Sequence, residues 1–81
     1  MKFNFKKDSI DFLNDFFIIG SQYVIKDQKH PVILLIKEES YFSYYIKYLC
    51  IGIDDKATLE DMHHNPKIFI EMIDCGDIYK I

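Results

Sequence analysis

The first seven residues, MKFNFKK, alternate Phe3 and Phe5 with Lys2, Asn4 and Lys6. Apolar side chains at period two are the mark of a half-buried strand. The period then changes. In DSIDFLNDFFIIG, Ile10, Phe12, Leu13, Phe16, Phe17 and Ile19 fall on one broad helical face, and Asp11, Asn14 and Asp15 fall opposite them. Asp8 or Ser9 can accept the first free backbone N–H groups, and Gly20 suits the exit.

SQYVIKD, residues 21–27, reads as a short strand, and QKHP as a turn in which Pro31 pushes His30 toward extended backbone. VILLIK is continuously apolar, so it is expected to be a central strand covered on both faces. EES is the next turn. The following stretch has two readings. As a helix, Tyr41, Tyr44, Tyr45 and Tyr48 form one stripe. As a strand, Phe42, Tyr44, Ile46, Tyr48 and Cys50 share one face, and Tyr41, Ser43, Tyr45 and Lys47 the other. The high aromatic and isoleucine content and the scarcity of good helix formers favour the strand.

GIDDKATLEDMHHNP begins as a loop, and a helix can start there with Thr58 as cap and Asp61 three positions on. NPKIFIEMIDCG places Asn65 as N-cap, Pro66 at the first helical position and Gly76 past the end. Ile68, Phe69, Met72 and Ile73 would be its buried face; the rival is a strand in which Ile68, Ile70 and Met72 alternate. DIYKI closes the chain as a last strand. The expectation is therefore one α+β domain over residues 1–81. It is a small two-layer fold with a mainly antiparallel sheet, a three-strand meander plus terminal strands, and helices on one face. Phe12, Phe16, Val32, Leu34, Ile36 and Ile46 are expected in its core.

Charge narrows the functions. The formal charge is -3 and the ten basic residues are all lysine, with no basic block. Without arginine there is no bidentate fork for phosphate or guanine, so nucleic acid is disfavoured as a partner. No apolar run approaches the roughly 20 residues of a membrane helix, and residues 1–20 do not have the layout of a signal peptide. A cytoplasmic protein with no membrane association is expected, with Cys50 and Cys75 as free thiols.

Catalytic patterns are missing. His63, His64 and Asp61 are close in sequence, but adjacent histidines diverge on either a helix or a strand, and a metal site needs three or four converging ligands. Cys75 lies between Asp74 and Asp77, where a thiolate is disfavoured, and Cys50 reads as a small buried hydrophobe. None of Ser9, Ser21, Ser40 and Ser43 sits in a nucleophile elbow. The three glycines are too far apart for a phosphate loop. The carboxylate pairs suit solvated loops and helix caps. No enzyme, metal or cofactor is expected.

The tyrosines remain. If helices cover one face of the sheet, Tyr41 and Tyr45 lie on the other, beside Glu38 and Glu39. Tyrosine offers large amphipathic contact area, and the acidic neighbours suit a basic protein. Glu38, Glu39, Tyr41 and Tyr45 are thus the candidate partner-binding residues, with Asp11 and Asp15 as a second patch. The plainer alternative is that the tyrosines only cover the second sheet face or a homodimer seam. In size, acidity and usage rich in Ile, Lys, Asn, Phe and Tyr, the chain resembles bacterial toxin-immunity proteins and phage-encoded inhibitors of host defence, including anti-CRISPR proteins. The resemblance is compositional and carries over no site residue. It implies an inhibitor of a larger basic partner, such as a nuclease or another nucleic-acid-handling enzyme. The competing function is a nucleic-acid-binding accessory domain that uses the Tyr/Lys face.

Overall fold

The computed structural model describes residues 5–40, 42–52 and 54–81. Two helices and five strands follow in the order α1 (Phe5–Phe16), β1 (Gln22–Ile25), β2 (Val32–Ser40), β3 (Ser43–Ile51), β4 (Ala57–His64), α2 (Pro66–Asp74) and β5 (Ile78–Lys80). The strands form one antiparallel sheet in the order β4-β3-β2-β1-β5. Strands β1 to β4 make a meander, and β5 returns to pair with β1.

Both helices lie on one face of this sheet. Leu13 of α1, Phe17 just past its end and Phe69 of α2 are buried with Tyr23, Val32, Leu34, Tyr44, Ile46 and Ile78 of the strands. The Phe17 ring sits 5.9 Å from that of Tyr44 and 5.7 Å from that of Phe69, and Tyr44 and Phe69 close the triangle at 5.8 Å. Such edge and stacked contacts add to simple area burial in a small core. The architecture is the expected α+β two-layer fold.

The end of α1 is tied to the sheet by polar groups that its own sequence does not supply. No basic residue lies in its last turn. Lys37 of β2 fills the role, its Nζ donating to the carbonyls of Asn14 at 2.8 Å and Phe17 at 2.7 Å. A cation there satisfies free carbonyls and opposes the negative end of the helix dipole. The Tyr23 hydroxyl donates to Phe16 O and accepts from Ile18 N–H, and the Tyr44 hydroxyl donates to Asn14 Oδ1.

Of the two readings open for the segment after Asn65, the helix forms and the strand does not. Asn65 Oδ1 accepts from Lys67 N–H, Pro66 opens the helix, and Gly76 takes the positive φ of 84° beyond it. The Asp77 N–H returns to Met72 O at 2.8 Å, closing the last turn.

Several expectations are corrected. Phe5, Lys6 and Lys7 begin α1 rather than end a strand, and residues 1–4 lie outside the described residues. Asp8 and Ser9 are therefore inside the helix, not at its cap. The helix ends at Phe16, which leaves Ile18 and Ile19 exposed in the following turn, and Phe12 faces solvent. Glu38, Glu39 and Ser40 extend β2 instead of forming a turn, and Phe42 is exposed between the strands. Residues 57–64 are strand β4, not a helix started by Thr58. Strand β2 is central, but among the described residues only one of its faces is covered. A bulge between Leu34 and Ile36 interrupts its alternation, so Leu34 pairs with core-facing Tyr48 while Ile36 pairs with Lys47 on the far side. That slip turns Ile36 out of the core.

Candidate functional site

Strand β3 separates two surfaces. Tyr44, Ile46, Tyr48 and Cys50 point into the helical layer and are buried. Ser43, Tyr45, Lys47 and Leu49 point the other way and are half-buried, with exposed Ile51 following them. The register extends this second face across its neighbours. Glu38, Tyr45 and His63 lie in one row, Ile36, Lys47 and Asp61 in the next, Ile33, Leu49 and Leu59 in the third, and Ile51 with Ala57 in the last. The face is polar at the end where β2 turns into β3 and apolar at the other. On the opposite flank Tyr79 of β5 pairs with Val24 and is exposed.

The polar end is a connected cluster. The Tyr45 hydroxyl donates to Asp61 Oδ2 at 3.1 Å, and its ring meets that of His63 edge to face at 5.9 Å. His63 Nε2 is hydrogen-bonded to Ser43 Oγ at 2.7 Å, and Ser43 Oγ is bonded in turn to Ser40 Oγ. Glu38, Glu39, Ser40, Tyr45 and His63 line an open pocket of about 340 Å³. The Tyr45 hydroxyl is held above its ordinary pKa by partial loss of water, by the bond to Asp61, and by the charges of Asp61 and Glu38.

Of the candidate residues, Glu38 and Tyr45 are direct cross-strand neighbours on the open face. Glu39 pairs with Tyr44 and so leaves β2 on the helical side, yet it reaches the same pocket from the rim. Tyr41 lies outside the described residues. Asp11 and Asp15 are exposed on α1, in the helical layer. They belong to a different surface from Tyr45. The strand pattern already puts Ser43 on the Tyr45 face, though with no role, whereas Asp61 and His63 are not joined to that face because a helix is expected in their segment. No period-two signal marks that segment, because Leu59, Asp61 and His63 alternate with Glu60, Met62 and His64 without separating apolar from polar residues.

The chemistry within reach is limited. Ser43 and His63 form a serine–imidazole pair, but His63 is exposed on a hairpin end and lacks the enclosed, water-poor setting that strengthens such a pair. Among the described residues no three His, Cys, Asp or Glu side chains converge as metal ligands. Cys50 and Cys75 are free thiols. Burial pushes the Cys50 thiol up to about 12, aided by its hydrogen bond to Glu60, which keeps it protonated and a poor nucleophile. No described helix is long and apolar enough to cross a membrane.

No protein-family model, curated protein or solved structure matches this chain.

Proposed function

We propose that this protein binds and inhibits a larger, basic protein, in the manner of toxin-immunity or phage anti-defence proteins, and that it docks through the open face of its sheet. One observation carries the reading. Ile36, Ile51, Leu59 and Tyr79 are exposed on a face that neither helix covers, and this apolar ground borders an aromatic and acidic end made by Tyr45, Glu38 and Asp61. Docking surfaces combine these parts: apolar area to be removed from water, a tyrosine that anchors, and rim charges that steer and select. The acidic rim suits a partner presenting lysine or arginine. The protein works by occupancy rather than by chemistry.

The nucleic-acid reading would use Lys47 beside Tyr45. Glu38 and Asp61 flank both residues in the neighbouring strands and would repel a phosphate backbone.

The test is affinity capture from the native host with wild-type protein and with Leu59→Lys and Tyr45→Ala variants. The reading expects a protein retained by wild type and lost by both folded variants. Retention of the same protein by both would remove the open face from consideration.

A further inference from the structure

The outer backbone edge of β4 adjoins the open face and offers a second kind of contact. Among the described residues nothing pairs with it, and β4 ends the sheet. The backbone register shows which groups it presents. Gly52 N–H donates to Lys56 O at 2.9 Å, which continues the β3–β4 ladder by one pair. Antiparallel pairs alternate between hydrogen-bonded and non-hydrogen-bonded. Thr58, Glu60, Met62 and His64 therefore bond inward to β3, while Ala57, Leu59, Asp61 and His63 turn their N–H and C=O groups outward. An edge of this length without lysine or proline is a template for another strand.

We propose that two copies of this chain pair through these edges, antiparallel, about a two-fold axis at Met62. Side chains opposite one another must lie on the same sheet face, so the sum of paired residue numbers must be even. Centring on Glu60 opposes two glutamates, and centring on Asp61 opposes two aspartates, both unfavourable. Centring on Leu59 sets Asp61 against Ala57 and brings no opposite charges together within the strand. Centring on Met62 sets Asp61 against His63 twice on the open face and Glu60 against His64 twice on the helical face. Each imidazole can donate an N–H to the opposing carboxylate. The interface is isologous and closes at two copies, and it joins two five-stranded sheets into one of ten. The axis runs perpendicular to the sheet, so both open faces look the same way and would present a doubled docking surface.

Sedimentation equilibrium of the whole chain tests this. Wild type is expected to move from the 9.7 kDa monomer to twice that mass as concentration rises toward about 1 mM. Asp61→Pro removes an outward N–H while sparing the inward ladder, so it should be monomeric with an unchanged circular dichroism spectrum. His63→Glu sets a glutamate against Asp61, and Asp61→Lys removes the carboxylate that His63 would meet, so each should be monomeric. Mixed in equal amounts, those two variants should restore a species of dimer mass. A wild type that stays monomeric throughout, a folded Asp61→Pro that still dimerises, or a mixture of two folded variants that stays monomeric would each overturn the proposal.

Discussion

Tyr44 and Tyr45 are adjacent in sequence and have the same side chain, yet they belong to different parts of the molecule. Tyr44 is fully buried among Phe17, Phe69 and Asn14, and burial, with the charge of Glu39 and the neighbouring Tyr23, pushes its hydroxyl up to about 12. Tyr45 is half-buried on the uncovered face, bonded to Asp61 and edge-on to His63. The difference arises from strand period alone, since one step along β3 exchanges the helical layer for solvent. Residue type does not assign a role here; the face does. Substitutions on the covered face should damage folding, and substitutions on the open face should damage docking and little else.

The sharpest contrast lies across the β2 bulge. Leu34→Ala should cost about 2–5 kcal/mol in chemical denaturation, because it leaves a cavity in the packed layer. Ile36→Ala, two residues on but on the other face, should cost only about 1 kcal/mol. Equal losses would show that the bulge does not divide the faces as described. Next in size is Lys37. Replacing it with Met removes two charge-assisted bonds to the end of α1 and should cost about 1–3 kcal/mol by the same measurement. A neutral result would mean that water satisfies those carbonyls equally well.

Alkaline pH separates the faces by a different route. In the folded chain Tyr44, Tyr48 and Cys50 keep their protons to about pH 12, against ordinary values of 10.0 for the tyrosines and 9.0 for the thiol, with burial the largest cause in each. Between those values the unfolded chain has lost protons that the folded chain retains, so stability falls as pH rises. The contribution is intact below pH 9 and is lost progressively from 9 to 12. Tyr44→Phe should make the decline in melting temperature over that range shallower. The smallest expected effect on folding is that of Tyr45→Ala, within about 0.5 kcal/mol of wild type.

Much of the covered layer was legible in the sequence. The apolar helical face announced Leu13 and Phe17, the alternation over 41–50 favoured a strand there, and Asn65, Pro66 and Gly76 offered α2 with a strand as its rival. What was not legible depended on partners distant in sequence. Nothing local tells that Lys37 caps α1 from β2. A bulge is not visible in a run of apolar residues, so Ile36 was placed in the core. Segment 57–64 carries a capping pattern and few β-branched residues, and it becomes a strand because β3 offers a full ladder to pair with. Tertiary pairing overrode weak local preference there. The candidate site suffered the same loss. Glu38 and Tyr45 could be found as near neighbours in one stretch of sequence, although Glu38 was expected in a turn, but Asp61 and His63 could not be joined to them.

The measurement that tests the division of faces most directly is the dissociation rate of the captured partner from four folded proteins: wild type, Tyr45→Ala, Leu59→Lys and the Asp11→Lys/Asp15→Lys double variant. If the open face is the docking surface, Tyr45→Ala should speed dissociation about tenfold or more, as loss of an anchoring aromatic does. Leu59→Lys should do at least as much, and the helical-layer double variant should dissociate at the wild-type rate. The reverse pattern, with Asp11 and Asp15 controlling the rate and Tyr45 and Leu59 neutral, would contradict the account and move the interface to α1.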